Sequence, residues 1–472
     1  MARLVRQASL AVALAAALCA GLTAQVRAAP DPDRFTPVLE EDFDTPFSRF
    51  DGVTGVWRDY PRRDKFIGNG PPSLYVNPTM TRRDGAPLGL DPFRVADGLL
   101  HIAAAPIPAD DLADVGAILR RAGYDQAAID KVRYYSGSLS TWSSWAQTYG
   151  YFEMRARLPE GRGHWPAFWL VPAVDGWPPE IDIFEVLGRE NGRDAPGNRV
   201  HMRVHFDEIA ADGSRAPEPA FVNPFDIVDG TPAPAIRRER PEGPRYTFAK
   251  TVDVGARFGR NVFETFNVYA MSWTPEEIIW YFGPSSDQLT EVFRSPTPRD
   301  VNGPMAVVMN DQIGGGWPGD PDPAEDALTF SHDFQIDYVK LYALTPRNRI
   351  AGAAAYLHGT AGDDVIEGTP ASQTILSGTG FDLLTGGGGA DRFVIPGGGG
   401  SKILIDFGAD DRLVLQGWTF HDPAEALRRL VQVGPDLWLV DSQEPRAPQT
   451  LIFRNLRRDD LGPRNFEIGG QG

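Results

Sequence analysis

The sequence predicts an all-β protein in which a two-sheet sandwich precedes a shorter repetitive β region. Short apolar or alternating runs recur between Gly- and Pro-rich turns across residues 37–345, a pattern typical of a sandwich. A second pattern, with a period of nine residues, occupies residues 359–394. The chain has 472 residues, which is enough for two or three domains with separate cores.

Residues 1–28 are predicted to be a signal peptide. Arg3 and Arg6 form its basic end, and an apolar run extends from Leu10 to Leu22 before a small-residue cleavage site. Because this run is too short for a membrane span, no stable membrane insertion is expected. The only cysteine, Cys19, lies inside this segment, so we expect a secreted, extracellular mature chain without disulfides.

The sandwich is assigned to residues 37–345. Its clearest predicted strands are short and lie between turn residues: Leu99–Ala103, Gly150–Leu158, Ala167–Val171, Ile181–Val186, Val262–Trp273, Ile278–Phe282, Met305–Met309 and Phe334–Tyr342. Two segments depart from this pattern. Ala109–Val132 has apolar residues at roughly helical spacing, which predicts a helix. Residues 208–258 are rich in Pro, Arg and Asp, which predicts a long loop.

Three carboxylates within six positions are the strongest functional signal. Glu180, Asp182 and Glu185 alternate with apolar, β-favouring residues in the segment EIDIFE. A regular strand places the first two on one face and Glu185 on the other. A β-bulge at Ile183–Phe184 would add one residue and bring all three to the same surface.

Carboxylates held this close shift each other's pKa values, which is the arrangement that acid/base chemistry requires. Two such groups in a sugar-sized cleft favour glycoside hydrolysis, in which one attacks the anomeric carbon and the other protonates the leaving oxygen. An exposed acidic strand face is the alternative interpretation of the same residues.

The neighbouring motifs distinguish between these interpretations. GYFEMRAR (150–157) and WPAFWL (165–170) precede the acidic segment, and FNVYAMSW (266–273), NDQIGGGWPG (310–319) and IDY (336–338) follow it. This ordered series resembles glycoside hydrolase family 16 over nearly all of residues 37–345. The resemblance implies a β-jelly-roll sandwich with a concave cleft, and it implies Glu180 as nucleophile, Asp182 as assisting acid and Glu185 as acid/base. The bulged spacing is similar to that of laminarinase-like members.

Aromatic side chains near the acids are candidate sugar platforms, because sugars stack their apolar faces on rings. Trp165, Trp177 and Trp317 are predicted to contact substrate. His205 resembles a family histidine close to the acid/base, although His201 has the same strand parity. The expected substrate is a polysaccharide, either an exopolysaccharide of the succinoglycan type or a β-1,3/1,3-1,4-glucan.

The C-terminal part is divided into a linker at 346–358, the repeats at 359–394 and a β-rich extension at 395–472. Asp364, Gln373, Asp382 and Asp391 stand nine residues apart, and so do the apolar positions Ile366, Ile375, Leu384 and Phe393. Glycines permit the tight turns between units, and the apolar residue is expected to fill the interior. A Gly-rich linker is the alternative interpretation, and the matched register disfavours it.

These units resemble the calcium-binding nonapeptide repeats of the RTX family, which implies a short parallel β-roll holding Ca²⁺. Asp364 and Asp382 are expected to form the better site, and Asp391 a poorer one, because Gln373 replaces its partner aspartate. By analogy with the hydrolase family alone, Asp337 is a candidate calcium ligand in the sandwich.

The leading interpretation is therefore a secreted retaining endo-β-glycanase, expected to be a monomer. A non-catalytic carbohydrate-binding or adhesin-like protein is a second interpretation, and a scaffold built on the repeats is a third. The formal net charge of −17 disfavours nucleic acid as a partner.

Overall fold

The structure is a computed structural model. It describes residues 26–27, 33–51, 54–60, 66–67, 72–173, 177–189, 198–206, 236–238, 245–398, 400–442 and 448–469. Most of the predicted signal peptide, with Cys19, lies outside these residues. None of the helices found in the described part of the chain is both long enough and apolar enough to cross a membrane.

The N-terminal part consists mainly of strands. In chain order they are β1 (Val26–Arg27), β2 (Phe35–Glu41), β3 (Ser73–Tyr75), β4 (Phe93–Ala96), β5 (Leu99–Ile102), β6 (Ala105–Pro106), β7 (Tyr134–Ser136), β8 (Ser138–Ser140), β9 (Gly150–Arg157), β10 (His164–Pro172), β11 (Glu180–Glu185), β12 (Arg199–Phe206), β13 (Ile236–Arg238), β14 (Arg245–Asp253), β15 (Asn267–Trp273), β16 (Glu277–Gly283), β17 (Leu289–Pro296), β18 (Met305–Ile313) and β19 (Phe334–Leu344). All of the strands predicted between residues 99 and 342 have a counterpart here, although the one predicted to begin at Val262 begins at Asn267.

The helices are short. They are α1 (Leu112–Arg121), α2 (Gln126–Ile129), α3 (Val254–Phe258), α4 (Asp326–Thr329) and α5 (Pro423–Arg428). The single helix predicted over Ala109–Val132 is in fact divided into α1 and α2, because the turn at Gly123 has a positive φ of 87° that ends the first helix. Val115, Leu119 and Ile129 still face a common apolar cluster, as their spacing predicts.

Two antiparallel sheets form the sandwich, and the all-β prediction is confirmed. Among the described residues, one sheet has the order β1-β17-β16-β15-β9-β19-β5-β4, with β2 also paired to β19. The other has the order β13-β14-β12-β11-β10-β18-β8. A small sheet, β3-β7-β6, lies beside them.

The core lies between the two large sheets, because each presents alternate apolar side chains to the other. Phe184 of β11 lies 4.3 Å, between ring centroids, from Tyr269 of β15. The indole N–H of Trp280, on β16, donates to the backbone carbonyl of Asp182 at 2.9 Å. This bond crosses the sandwich and ties the acidic strand to the opposite sheet.

The long loop predicted for residues 208–258 is wrong for the part that is described. Residues 245–253 form β14, which pairs with β12 from Tyr246 to Asp253, and α3 follows directly. Every second position along this strand can face the core, and Tyr246, Phe248 and Val252 pack there. This burial favours a strand even though the composition of the segment is polar. Residues 207–235 lie outside the described residues.

The C-terminal part is a parallel roll, as predicted. Its strands are β20 (Asn348–Ala351), β21 (Tyr356–His358), β22 (Asp364–Glu367), β23 (Thr374–Leu376), β24 (Asp382–Thr385), β25 (Arg392–Pro396), β26 (Lys402–Leu404), β27 (Arg412–Gln416), β28 (Leu430–Val433), β29 (Asp436–Asp441), β30 (Gln449–Phe453) and β31 (Phe466–Gly469). From β20 to β27, successive strands alternate between two sheets, so that each pairs in parallel with the strand two units away. Strand β29 instead pairs antiparallel with both β28 and β30. Ile366, Ile375, Leu384 and Phe393 all lie in the interior.

The segment predicted as a linker, 346–358, contains strands β20 and β21, which begin the two sheets of the roll. The extension at 395–472 continues both sheets through β26 and β27. The roll therefore starts before the repeat that is visible in the sequence and continues after it, because hydrogen bonding between strands does not require the glycine signature of the turns.

The roll packs against the sandwich. Trp438 of β29 is fully buried, and its ring centroid lies 5.8 Å from that of Trp145, in the segment after β8. Trp145 also meets the ring of Phe381 from the roll. The Thr450 hydroxyl donates to the backbone carbonyl of Ser144. One buried cluster consequently includes residues of both parts.

Candidate active site

The acidic strand β11 contains the bulge that was predicted at Ile183–Phe184. Against β10, Phe168 pairs with Phe184 but Trp169 pairs with Asp182, so Ile183 has no opposite residue. Against β12, the pairing slips between Asp182 and Glu185 in the same way. Ile183 and Phe184 both face the core, with 2% and 0% exposure. The extra residue therefore places Glu185 on the same surface as Asp182.

Glu180 lies at the open end of this row. The indole N–H of Trp177 donates to its Oε2 at 2.8 Å, and His205 Nε2 lies 3.8 Å from its Oε1. Its side chain is 20% exposed, so it can be reached from the cleft. These contacts orient the carboxylate without closing it off.

Asp182 is the most buried of the three. Burial raises the pKa of its carboxyl well above the ordinary value, and the charges of Glu185 and Glu180 raise it further, while Arg203 acts in the opposite direction. Its Oδ2 accepts no hydrogen bond from the described residues. The raised pKa favours the protonated form of Asp182, which can donate to a neighbouring carboxylate.

Glu185 is held on both oxygens. The Trp165 indole N–H donates to Oε1 at 3.0 Å, and Arg203 Nη1 donates to Oε2. Burial raises the pKa of Glu185, and the Arg203 charge and both hydrogen bonds act against that rise without cancelling it. A raised pKa is what a general acid needs to carry its proton near neutral pH.

An aromatic wall adjoins Glu185. The ring of Trp317 lies 5.1 Å from that of Trp165 at an angle of 89°, and it lies 4.7 Å from that of His201. Trp177 lies at the other end, with its ring 5.8 Å from that of His205. The three tryptophans predicted to bind substrate thus lie beside the three acids.

The position of His205 differs from the expected one. It pairs with Glu180 in register, and its Nε2 lies 3.6 Å from Asp182 Oδ2, so it adjoins the nucleophile end and not Glu185. His201 is the histidine opposite Glu185. Burial and the charges of two arginines lower the pKa of His201 to about 3, so it is a neutral ring.

Several residues of this surface were missed by sequence reasoning. Arg203 contacts Glu185, and Asn310 Oδ1 accepts from the Trp169 indole at 2.7 Å. The hydroxyl of Tyr75 accepts from Asn310 Nδ2 at 3.1 Å, although no sequence pattern indicates a role for Tyr75. The alternation of Arg and His along β12 could have indicated a polar cleft face, because it follows strand parity.

Asp311 is an acid on β18, next to the strand that carries Trp165. It is fully buried, and its Oδ2 lies 2.7 Å from His164 Nδ1, whose Nε2 contacts the Thr329 carbonyl at 2.8 Å. The other oxygen of Asp311 accepts from the Trp165 backbone N–H at 3.2 Å. The buried pair thus anchors the start of β10, which carries Trp165.

Asp337, the candidate calcium ligand in the sandwich, lies away from the acidic strand. It is the bulged residue of β19, and its Oδ2 is 2.5 Å from Arg155 Nη1. A carboxylate paired with a guanidinium has its charge already balanced, so these contacts do not favour calcium here.

The repeat aspartates form two ladders, one along each edge of the roll. On the first edge Asn348, Asp364, Asp382 and Lys402 are successive rungs. Asp364 accepts from the Thr360 backbone N–H at 2.6 Å, and Asp382 accepts from the Asp364 backbone N–H at 3.0 Å. Lys402 Nζ lies 3.0 Å from Asp382 Oδ2, and both side chains are fully buried.

Calcium does not fit the pair Asp364 and Asp382, which the sequence predicted as the better site. An ammonium group already lies against the Asp382 carboxylate and donates to the Gly380 carbonyl at 2.6 Å. A divalent cation beside a buried ammonium would be repelled. Lys402 provides the positive charge instead.

On the second edge Gln373, Asp391 and Asp411 are the rungs. Asp391 Oδ1 accepts from the Gln373 backbone N–H at 2.8 Å, whereas its buried Oδ2 accepts no hydrogen bond from the described residues. Burial raises the pKa of Asp391, and the charges of Asp411 and Asp406 raise it further. An orphaned carboxylate oxygen among other acids fits a cation.

Part of the chain matches a family model, and two-thirds of it is similar to known glycanases. Residues 117–227 match the model for glycosyl hydrolases family 16. The chain is 33% identical over 325 residues to endo-1,3-1,4-beta-glycanase EglC of Rhizobium meliloti, and 32% identical over 325 residues to endo-1,3-1,4-beta-glycanase ExsH of the same organism. Each alignment covers 68% of this chain and 54% of the relative, so the chain spans about half the length of these relatives.

A solved structure is also similar. The laminarinase of Rhodothermus marinus aligns with 66% of this chain and 98% of its own, with a TM-score of 0.41 and 24% identity.

Proposed function

We propose that this chain is a retaining endo-β-glycanase that hydrolyses internal β-glucosidic bonds of a polysaccharide, because residues 117–227 match the model for glycosyl hydrolases family 16 and the chain is similar to endo-β-glycanases. The observation that carries the proposal is the bulge of β11, which places Glu180, Asp182 and Glu185 on one surface. A binding protein has no need of three carboxylates at this spacing.

The first step uses both outer acids. Glu180 attacks the anomeric carbon and forms a glycosyl–enzyme ester, while Glu185 gives its proton to the departing glycosidic oxygen. In the second step Glu185 takes a proton from water, the water attacks the same carbon, and Glu180 leaves as a carboxylate. Two displacements at one carbon restore the β configuration.

Asp182 supports the pair from between them. In its protonated form it adds no third negative charge to the row, and its O–H can donate to the Glu180 carboxylate as that group leaves. Trp280, which donates to the Asp182 carbonyl, keeps this part of the strand in place.

The substrate class follows from the relatives and the cleft. Both Rhizobium relatives are named endo-1,3-1,4-beta-glycanases, which supports a β-glucan or an exopolysaccharide of the succinoglycan type. Trp165, Trp177 and Trp317 provide ring faces on which glucosyl units would stack. We also propose export by the predicted signal peptide, since such polymers lie outside the cell.

The proposal is tested by release of reducing sugar from laminarin, lichenan, succinoglycan, agarose and carrageenan. We expect hydrolysis of at least one of the first three, with viscosity falling well before reducing ends accumulate. Proton NMR of the earliest products should show the β anomer. Release of the α anomer first, or no hydrolysis of any of the five polymers, would contradict the proposal.

A calcium ion on the second edge of the roll is a separate proposal. Asp391 would bind it through its orphaned oxygen, with glycine-loop carbonyls completing the shell. A Cβ at Gly386 would lie 2.3 Å from that oxygen, so only glycine leaves the approach open. Bound calcium would neutralise the acids of this edge and stabilise the roll.

We expect calcium to raise the melting temperature of the full chain relative to EDTA, because a ligand that binds only the folded state stabilises it. The increase should be largely lost in Asp391→Asn. The matched variant Asp382→Asn, on the edge that Lys402 neutralises, should retain it, although its own stability is lower. Equal melting temperatures of the wild-type chain in calcium and in EDTA would exclude this site.

A further inference from the structure

The Glu185 carboxylate is held by two hydrogen-bond donors in the free protein. Its Oε1 accepts from Trp165 and its Oε2 from Arg203, so both oxygens act as acceptors in the free protein. The Arg203 charge and both hydrogen bonds favour the ionised form of Glu185 and oppose the rise of its pKa that burial causes. Moving Arg203 away from Glu185 would therefore favour the protonated form that the acid step needs.

Of the two donors, Arg203 has the side chain with more rotatable bonds. The indole of Trp165 is a rigid ring whose backbone is anchored to Asp311. Arg203 has a long flexible side chain that is 24% exposed to the cleft. Its guanidinium carbon lies 4.4 Å from the ring centroid of Trp317, so it can slide along an aromatic face while remaining in the site.

Arg203 lies on the side of the cleft where the departing sugar would bind. It is opposite Asp182 on β11 and opposite Ala249 on β14, in the middle of the cleft floor. The guanidinium adjoins Glu185, which protonates the departing oxygen, and not Glu180. A group bound by Arg203 would therefore belong to the sugar units on the leaving side of the cleaved bond.

We propose that Arg203 is a specificity-determining residue that binds a carboxylate substituent on the leaving side of the polysaccharide and, in doing so, withdraws from Glu185. The planar guanidinium matches a carboxylate with two parallel hydrogen bonds. The substrate carboxylate replaces Glu185 as the partner of the cation, and Glu185 then takes up a proton from hydronium or a buffer acid in the solvent. An acidic polysaccharide thus activates the acid as it binds. This inference rests on the proposed glycanase function.

The test compares two substrates that differ only in carboxylates. They are lichenan and the same lichenan after oxidation of a small fraction of its primary hydroxyl groups; if lichenan is not cleaved, the hydrolysed polymer from the panel takes its place. We expect kcat/KM to favour the oxidised polymer in the wild-type chain. In Arg203→Met that preference should fall by about tenfold to a hundredfold, the loss typical of a charge-assisted hydrogen bond. Arg199→Gln, on the same face of β12, is the matched control and should retain the wild-type preference.

If the Met variant does not fold, Arg203→Lys takes its place in the test. Lysine keeps the positive charge but cannot form two parallel hydrogen bonds with a carboxylate, so this variant should lose part of the preference. Raising salt from 0.05 to 0.5 M should also bring the wild-type ratio towards one, because screening weakens the exposed ion pair. An unchanged ratio in the folded Arg203 variants, or in high salt, overturns the inference. If the wild-type chain hydrolyses no polymer at all, the glycanase proposal itself fails.

Discussion

Replacing Glu185 with Ala is expected to lower kcat on polysaccharide by about 10²–10⁴-fold, the contribution typical of a general acid. Replacing Glu180 with Ala is expected to abolish turnover, because no other group can form the covalent intermediate. Azide separates the two roles when an aryl β-glycoside is the substrate. With Glu185→Ala it attacks the glycosyl–enzyme and gives a β-glycosyl azide. With Glu180→Ala it attacks the substrate directly and gives the α product.

The control for both variants is Glu276→Gln, an exposed acid in the hairpin between β15 and β16 on the opposite sheet. It should retain wild-type kcat. Normal turnover in either cleft variant would show that the acid does not have the role proposed for it. An exchange of the two azide products would show that nucleophile and acid/base have been assigned in the wrong order.

Replacing Trp438 with Ala is expected to lower the free energy of unfolding by about 3–5 kcal/mol, the usual cost of removing a fully buried tryptophan. This side chain contacts Trp145 of the sandwich from within the roll. Because both parts share one buried cluster, the roll and the sandwich should unfold together, and the variant should lower the midpoint for both.

Urea unfolding followed by tryptophan fluorescence, with residual hydrolysis as a second probe, measures this effect. Tyr356→Ala is the matched control, since that aromatic residue of the roll is 63% exposed and its loss should cost under about 0.5 kcal/mol. Two separate transitions in the wild-type chain, with only one of them altered by Trp438→Ala, would show that the two parts unfold independently.

The acidic strand could be predicted closely because its geometry is local. In a regular strand Glu185 and Asp182 would face opposite sides of the sheet, and one extra residue brings them to the same side. The six residues of this segment are therefore enough to predict both the row of carboxylates and the bulge. The same holds for Ile366, Ile375, Leu384 and Phe393, whose constant spacing predicts a common interior.

The charge pattern of the roll was harder to predict from the repeat. Asp364 and Asp382 looked like the stronger pair because both units keep the pattern. The next rung, Lys402, follows Asp382 after twenty residues and not eighteen, since the intervening turns are longer. That shift removes it from the nine-residue register, so its ammonium group is not visible as part of the ladder until the strands are paired.

By itself, the sequence determined the strand class, the repeat interior and the identity of the three acids, since each depends on residues close together in the chain. Only the tertiary structure decided which residues from distant parts of the chain meet. Arg203 reaches Glu185, Lys402 reaches Asp382 and Trp438 reaches Trp145 from other strands. Strand pairing and packing bring such partners together over long separations, and the free energy of a buried charge depends on the partner that it meets there.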